Sequence, residues 1–371
     1  MKQLIIERAD VSVVGPDVER CRLAADMGEV FETLTILRLQ TRCGLEGIAG
    51  ITTYSEFAYD TGLAGALKPL LPGILGKDAN QSDEIWHYLM GRYNSMTPKP
   101  QSAIDIAIWD LKAKAADQPL YRYLGGERSQ IDAYASTPLL DSPQEYVEFV
   151  KTLQQQGHTT IKFHVWCDLE QDLALLEAID DAFGDSLPFM IDLEERYNYD
   201  DALIIAKRLE SMNCIWLEAP LPDTDLSSYA KLRQQTQTPI LPAGNTLTSP
   251  ELMQFGLDAN AWDAMRTDVT YAGGFTAARR IAELAKANGQ SLELQSWGYT
   301  LSQAANLHLM LSINHSRYFE QPVPYISHEV CSNAVIRTDN GKVSAPDAPG
   351  LGIEMNWSEV RKQSIWQYIV E

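Results

Sequence analysis

From about residue 130 onward, short apolar runs that end in a polar residue alternate with amphipathic stretches. Strands that alternate with helices predict a parallel sheet, and eight such units favour closure into a β/α barrel. An open doubly wound sheet is the alternative, but no GxGxxG turn follows the first strand, so we predict the barrel. The eight predicted strands are IDAYAST (131–137), TTIKFH (159–164), LPFMID (187–192), CIWLEA (214–219), TPILPAGN (238–245), AWDAMRTD (261–268), SLELQS (291–296) and RYFE (317–320).

The N-terminal third has a different pattern. MKQLIIERADVSVV and VFETLTILRLQTR alternate apolar and polar residues like antiparallel strands, and helical stretches follow them. We therefore predict an α+β domain over residues 1–127, with a seam at the glycine pair 125–126. The barrel domain is expected over residues 128–345, and the tail 346–371 is expected to return to the first domain.

Net charge and cysteine spacing argue against several kinds of binding partner. The 371 residues carry a formal net charge of −20, which argues against nucleic acid and anionic membranes but not against a small anionic substrate in a locally cationic cleft. The five cysteines have no CxxC spacing, which favours a reducing compartment and argues against a zinc-cysteine site. No apolar run is long enough to span a bilayer. We expect a cytoplasmic homo-oligomer that binds neither nucleic acid nor membrane.

The stretch TTIKFHVW (159–166) places two chemically unusual residues on a strand that should be buried. Side chains two apart on a strand point the same way, so Lys162 and His164 should stand side by side. Burying a cation costs several kcal/mol unless something compensates it. Alone, His164 would more often be a satisfied core histidine and Lys162 a surface cation. Together they indicate a functional pair.

Polar residues recur at the predicted carboxyl ends of the strands, where the catalytic groups of a β/α barrel lie. A single acidic residue there is more often a helix cap or a solvated loop residue. An ionisable or metal-chelating residue ends six of the eight strands and the polar Gln295 ends a seventh, which argues for a shared site. Two carboxylates and one amide from adjacent strands form an all-oxygen site that suits Mg²⁺ or Mn²⁺ but not zinc. Besides the Lys162–His164 pair, the strand-end residues are Asp192, Glu218, Asn245, Asp268, Gln295 and Glu320.

Several segments resemble the mandelate racemase/muconate lactonizing branch of the enolase superfamily. The most specific is SAIDIAIWDLKAKAADQPLYRYLGG (102–126), and the segments IDL, LEAPLP, PAGNTLTSPE, TDVTYAGG and PDAPGLGI support it. The resemblance implies an α+β capping domain over a modified (β/α)7β barrel. It also implies that the first chemical step is abstraction of the proton α to a carboxylate, with Mg²⁺ holding the enolate.

The resemblance also implies a metal site. Asp192 and Glu218 match the first two metal ligands of the family, and Asn245 falls where most members have Glu or Asp. The glucarate dehydratase group resembles this chain in its asparagine. Glu194 stands two residues after the first ligand, where Asn is common.

The catalytic positions show three departures from the common pattern. Lys162 and His164 fall on a Lys-x-Lys motif, with His164 in the place of the usual base. Asp268 matches an aspartate that normally supports a histidine on the next strand, but QSWGYT (295–300) contains no histidine. Glu320 matches the glutamate that hydrogen-bonds the developing enolate, and if protonated it could share a proton with the enolate oxygen.

These departures favour a reaction that needs one basic face. A two-base racemisation is disfavoured unless Tyr299 serves as an acid. We predict a metal-dependent dehydratase that converts a sugar acid to a 2-keto-3-deoxy acid, with His164 as base and Lys162 as the cation that stabilises the enolate. A cationic neighbour should lower the pKa of His164 below its reference value of ~6.5. The alternatives are a cycloisomerase or epimerase that uses the same enolate, and a barrel that has lost catalysis and only binds a ligand.

The substrate is a small carboxylate whose identity the sequence does not give. In the family, substrate choice depends on capping-domain loops, which here correspond to residues 13–28 and 50–56. The expected substrate-binding residues are Tyr54, Glu194, Arg266, Gln295 and Tyr299.

Overall fold

The computed structural model describes residues 2–15, 22–26, 28, 31–55, 60–92, 97–324, 329–333 and 336–371. Its N-terminal part is an antiparallel sheet followed by helices. The elements are β1 (Ile6–Val14), β2 (Phe31–Thr41), β3 (Glu46–Ser55), α1 (Gly62–Leu67), α2 (Ser82–Met90), α3 (Lys99–Ala115) and α4 (Leu120–Tyr123).

The long helix α3 packs against this sheet and is buried along most of its length. Its backbone approaches β3 so closely that a Cβ at Gly47 would lie 2.1 Å from the carbonyl oxygen of Ala107. Asp110 of the same helix accepts a hydrogen bond from the Ile48 amide at 2.9 Å. The sheet and the helix are therefore one packed layer pair.

Eight parallel strands and the helices between them form the second part of the chain, and all eight predicted strands are present. The elements are β4 (Gln130–Ser136), α5 (Pro143–Gln155), β5 (Ile161–His164), α6 (Leu169–Phe183), β6 (Phe189–Asp192), α7 (Tyr199–Leu209), β7 (Cys214–Glu218), α8 (Leu226–Gln235), β8 (Ile240–Leu241), α9 (Pro250–Asp258), β9 (Met265–Thr267), α10 (Phe275–Ala287), β10 (Leu292–Leu294), α11 (Thr300–Ser312) and β11 (Tyr318–Pro322).

The strands follow one another round a modified barrel, as predicted. One sheet has the order β11-β4-β5-β6-β7-β8, and β9 pairs with β10. Backbone hydrogen bonds join the two sheets, from the Asp263 amide to the Ile240 carbonyl at 2.9 Å and from the Leu292 amide to the His315 carbonyl at 2.8 Å. The register pairs His164 with Asp192, and Asp192 with Glu218, across three adjacent strands. Three predicted site residues are therefore neighbours at one end of the barrel.

The chain then returns to the first sheet. β12 (Lys342–Ser344) pairs with β4, and α12 (Trp357–Gln363) leads into β13 (Ser364–Val370). β13 lies antiparallel to β1, so the first sheet has the order β13-β1-β2-β3. No helix within the described ranges has the length and apolar character that crossing a bilayer requires.

A glycine pair after β9 fastens the barrel to the helices of the first domain. The Gly273 amide donates to Ser102 Oγ at 2.9 Å, and its carbonyl accepts from Trp86 Nε1 at 3.0 Å. A Cβ at Gly274, where φ is +87°, would lie 2.3 Å from an oxygen of Asp105. Only glycine fits this approach. The loop between β9 and α10 is thus held by α2 and α3.

Candidate active site

A cavity of about 230 Å³ opens at the carboxyl ends of the barrel strands. Both domains line it, since residues of the first domain reach over the barrel. Catalytic groups of β/α barrels lie at this end. The lining residues are Leu23, Tyr54, Lys162, His164, Asp192, Glu194, Glu195, Glu218, Ala219, Ala243, Asn245, Tyr271, Gln295, Trp297 and Glu320.

Lys162 is the centre of a buried charge cluster. Its Nζ lies 2.9 Å from Asp192 Oδ2, 2.8 Å from Glu218 Oε1 and 2.8 Å from Glu320 Oε1. Although burial favours the neutral amine, these three carboxylates raise the pKa of Lys162 well above its ordinary value. The cost of burying a cation on this strand is therefore offset by three ion pairs.

Arg266 is placed differently from the sequence prediction. We expected it beside the substrate, but its side chain is buried inside the barrel below the cavity and does not line it. Its Nη2 lies 2.7 Å from Glu218 Oε1 and 3.5 Å from Glu320 Oε2. The reason is its position within β9, where the pleat directs the side chain inward.

Glu320 does not carry the proton that we expected it to share with the enolate oxygen. Despite burial, Lys162 and Arg266 hold the pKa of Glu320 well below its usual range, so the carboxyl is ionised and has no proton to share. It also accepts hydrogen bonds from Ser136 Oγ at 2.9 Å and from the Ser296 amide at 3.0 Å. Glu320 therefore serves here as a fixed negative partner of Lys162.

His164 is held in one tautomer. Its Nδ1 lies 2.5 Å from the Thr137 carbonyl, which can only accept, so Nδ1 carries the proton and Nε2 faces the cavity. Nε2 lies 3.2 Å from Glu194 Oε1 and 3.6 Å from Asp192 Oδ2. Burial and Lys162 act to lower the pKa of His164, but the Glu194 hydrogen bond and the Asp192 charge outweigh them and raise it. The predicted lowering was wrong, because no pattern in the sequence indicated that Glu194 would contact the histidine.

Glu194 reaches His164 through an unusual backbone turn. Glu194 and Glu195 have φ values of 50° and 61°, in the left-handed region that costs non-glycine residues of order 1–3 kcal/mol. The turn is fixed by a 3.1 Å hydrogen bond from the Glu194 amide to Asp192 Oδ1. Although burial opposes ionisation, the bond to His164 lowers the pKa of Glu194. The strained turn therefore delivers a carboxylate to the histidine.

The charge balance of this cluster fits a divalent cation. Four acidic side chains (Asp192, Glu194, Glu218 and Glu320) face two cations (Lys162 and Arg266), so acidic groups outnumber cations by two. Burial, with repulsion from Asp192 and Glu320, raises the pKa of Glu218 to about 7 despite the two cations. Such a surplus of oxygen ligands suits Mg²⁺ or Mn²⁺.

Two donor sets share Asp192. The first is the predicted set of Asp192, Glu218 and Asn245, all of which line the cavity. In the second, His164, Asp192 and Glu194 offer atoms within 4.8 Å of one another. Asn245 Oδ1 accepts a hydrogen bond from Gln295 Nε2 at 3.0 Å, so the amide oxygen already faces a polar neighbour in the cavity.

Asp268 and Tyr299 lie behind the cavity wall. Asp268 accepts hydrogen bonds from Thr270 Oγ1 at 2.8 Å and from Asn306 Nδ2 at 2.9 Å. The Tyr299 hydroxyl, which we expected at the substrate, is buried and donates to the Glu32 carbonyl at 2.7 Å. Neither residue lines the cavity, so their direct contact with a substrate has no support from their placement.

Two residues from the predicted capping-domain loops line the cavity. Leu23, from the predicted loop 13–28, lines the cavity, and so does Tyr54 from the loop 50–56. Residues 16–21, 27 and 56 of these loops lie outside the described residues.

Sequence reasoning missed two aromatic residues of the cavity. Trp297 stands edge-on to the His164 ring, with 5.3 Å between the ring centroids. It follows Gln295 by two positions, a spacing that could have indicated it. Tyr271 follows Asp268 by three positions within the quoted TDVTYAGG segment, but its loop position gave no direction for its side chain.

Comparison with known families covers most of the chain. Residues 9–125 match the mandelate racemase/muconate lactonizing enzyme N-terminal domain. Residues 145–360 match the family described as enolase C-terminal domain-like.

Two characterised proteins are similar over most of their length. A 3,6-anhydro-α-L-galactonate cycloisomerase from Streptomyces coelicolor is 30% identical over 348 residues, which cover 90% of this chain and 92% of the relative. An L-talarate/galactarate dehydratase from Salmonella typhimurium is 29% identical over 336 residues, with 87% and 80% covered.

Solved structures share the fold. A candidate mandelate racemase/muconate lactonizing enzyme from Pseudovibrio sp. superposes with a TM-score of 0.98 at 36% identity, with both chains fully covered. The Salmonella typhimurium dehydratase, solved with Mg and L-lyxarohydroxamate, superposes with a TM-score of 0.88 at 24% identity over 100% of this chain and 95% of that one.

Proposed function

The chain belongs to the mandelate racemase/muconate lactonizing enzyme family of the enolase superfamily, and from this premise we propose that it removes the proton α to a carboxylate. The proposed overall reaction is β-elimination of water from a sugar acid, which yields a 2-keto-3-deoxy acid. The observation that carries this proposal is the cluster in which Lys162 bridges Asp192 and Glu218 beside His164, whose Nε2 faces the cavity next to Glu194.

Asp192 and Glu218, with Asn245, are the residues that would hold Mg²⁺, which when bound supplies positive charge to the enolate. Lys162 adds a second, fixed positive charge at the same place. His164 Nε2 accepts the α-proton, because its Nδ1 proton is committed to the Thr137 carbonyl. Glu194 then stabilises the resulting histidinium across 3.2 Å. The chain thus has one strong basic face.

The second candidate is a cycloisomerase, in which the oxygen that leaves the β-carbon belongs to a ring. The 30% identical relative with this activity favours it, and its substrate is also a carboxylate of an acid sugar. The same enolate and the same base serve both reactions. An epimerase is less well supported, since no second base lines the described part of the cavity opposite His164.

The test is a screen of sugar acids and their lactones with the purified protein and MgCl₂ in D₂O. NMR follows α-deuteration, and a carbonyl reagent follows keto-acid formation. Turnover with loss of the α-proton that stops on chelation supports the proposal. Absence of both α-exchange and product across mono- and dicarboxylic acids, while Mg²⁺ binds by calorimetry, would refute it.

We also keep two earlier expectations as part of the proposal. The substrate is a small anionic carboxylate, as the names of the talarate/galactarate dehydratase and the anhydrogalactonate cycloisomerase indicate for those relatives. The protein is expected to be a cytoplasmic homo-oligomer, and light scattering on the purified chain checks the oligomeric state.

A further inference from the structure

Tyr271 lies on the wall of the cavity that faces His164. It follows β9, and β9 is four strands away from β5 in either direction round the eight-stranded barrel. Tyr271 lines the cavity, whereas the described residues provide its hydroxyl with no hydrogen-bond partner. A phenol thus stands opposite the base with its donor available to a ligand.

The ring is held in place from outside the cavity. Lys99 Nζ lies 3.9 Å from the centroid of the Tyr271 ring, in the geometry of a cation–π contact, and donates to the Thr52 carbonyl at 3.0 Å. Two residues later, Gly273 is bonded to Ser102 and Trp86. The capping domain therefore fixes both the ring and the loop that carries it.

The surroundings favour the protonated phenol. Burial, with the neighbouring acidic groups Asp268 and Glu32, raises the pKa of Tyr271 above its ordinary value. Tyr271 is therefore a poor base but an available donor at neutral pH. This argues against a role as the second base of a racemase.

We propose that Tyr271 donates its phenolic proton to the oxygen that leaves the β-carbon of the substrate. This inference rests on the proposed function and extends it. His164 takes the α-proton, the electron pair of that C–H bond forms the Cα–Cβ double bond, and the Cβ–O bond breaks. The leaving oxygen takes its electron pair with it and receives the proton of Tyr271, which gives water in the dehydratase and a hydroxyl in the cycloisomerase. Solvent protons then restore the phenol, and histidinium releases its proton.

This assignment divides the reaction between the two walls of the cavity. If the phenol is absent, proton removal can still occur, but the enolate cannot readily expel its β-oxygen and is reprotonated instead. Loss of Tyr271 should therefore separate α-exchange from elimination, an effect that general damage to the site does not produce.

The experiment compares wild type and Tyr271→Phe in D₂O with MgCl₂, on the sugar acid or lactone that wild type converts fastest in the screen. Phenylalanine keeps the ring against Lys99 and removes only the hydroxyl. General acid catalysis contributes typically ~10²–10⁴-fold, so product formation should fall by that factor. Deuterium should continue to enter recovered substrate, and the ratio of deuterated substrate to product should rise at least ~100-fold.

Tyr318→Phe is the matched control, because Tyr318 is a barrel tyrosine that does not line the cavity. It should leave both rates unchanged. Thermal unfolding and Mg²⁺ calorimetry establish that each variant folds and keeps its metal site. If Tyr271→Phe left both rates unchanged, or lowered exchange and product formation equally, the assignment would be overturned. Absence of both exchange and product in wild type would instead remove the proposed function itself.

Discussion

The two walls of the cavity differ in charge. The wall formed by β5, β6 and β7 carries buried ionisable groups in direct contact, with Lys162 bridging Asp192 and Glu218 beside His164. The wall formed after β9 and β10 presents neutral groups, namely Tyr271, Gln295 and Trp297. In the proposed reaction, proton removal and enolate stabilisation therefore fall to the charged wall, whereas the neutral wall shapes the space and supplies the proton of Tyr271.

Two acidic residues behind the neutral wall, Glu32 and Asp268, have raised pKa values. Burial raises the pKa of Glu32 to about 8, even though Lys99 and Tyr54 act to lower it. Burial also raises the pKa of Asp268, whose oxygens are occupied by Asn306 and Thr270. Glu194 of the charged wall differs, because its hydrogen bond to His164 lowers its pKa despite burial.

The largest effect is expected from the metal ligands of the charged wall. Asp192→Asn keeps the shape of the side chain but removes the charge shared with Lys162, so Mg²⁺ binding and turnover should be lost together. Calorimetry and the coupled assay measure both. The exposed Glu177→Gln on α6 is the control for loss of an acidic residue. Full activity of Asp192→Asn in excess EDTA would contradict the metal assignment.

His164→Asn tests the base of the charged wall. Asparagine keeps a hydrogen-bonding edge toward Thr137 but has no titratable nitrogen, so the fold should survive. We expect kcat to fall ~10²–10⁴-fold with a modest change in KM, and α-deuteration to fall with it. Turnover near the wild-type value would transfer the role of base to Lys162.

Lys162→Met removes the cation that holds three carboxylates together. Removing one partner of a buried ion pair costs about 3–5 kcal/mol, so urea unfolding in EDTA should show a loss of that size. MgCl₂ should restore part of the loss by binding the folded state. Because Lys162 acts in both ground and transition states, kcat and KM should both suffer. Unchanged stability in EDTA would mean that the carboxylates are not ionised together.

A smaller effect concerns pH. His164 must be neutral to accept a proton, so kcat/KM should rise as the pH rises through the pKa of His164. Glu194 raises that pKa, and Glu194→Gln should therefore move the acidic limb of the kcat/KM profile to lower pH at saturating MgCl₂. A limb that stays in place or moves to higher pH would show that Glu194 does not interact with His164 in the working enzyme.

The smallest effect on turnover is expected on the neutral wall. Because the pKa of Glu32 is about 8, Glu32→Gln replaces one neutral group by another at pH 7, and kcat should change by less than about threefold. The pH dependence of the free energy of unfolding tests the direction of the pKa shift. A carboxyl with a raised folded pKa loses stability as the pH rises from about 4.5 to 8, so unfolding should show wild type falling relative to Glu32→Gln over that range. Parallel stability curves would contradict a raised pKa.

The residues of the charged wall could be predicted from the sequence, whereas of the neutral wall only Gln295 could. The alternation of side chains along a strand predicts which residues point into the barrel, and Asp192 and Glu218 are one β/α unit apart in the sequence. These two local patterns suffice to place Lys162, Asp192 and Glu218 together on adjacent strands. The left-handed turn at Glu194 has no local signal, since its side chain is not one that tolerates such backbone. The position of Tyr271 depends on contacts 171 residues apart in the chain, between Gly273 and Ser102. Such long-range contacts produce no periodic pattern in the sequence.

The pairing of β13 with β1 has a consequence for synthesis of the chain on the ribosome. Ala9 lies opposite Val370, so one edge of the first sheet stays open until every barrel strand has emerged. An open edge strand can pair with another chain, and the exposure lasts for most of the time that translation of the chain takes. A nascent chain released before residue 364 would lack the strand that covers this edge. Prematurely terminated chains should therefore aggregate and bind chaperones more than the full-length chain does, through this one edge.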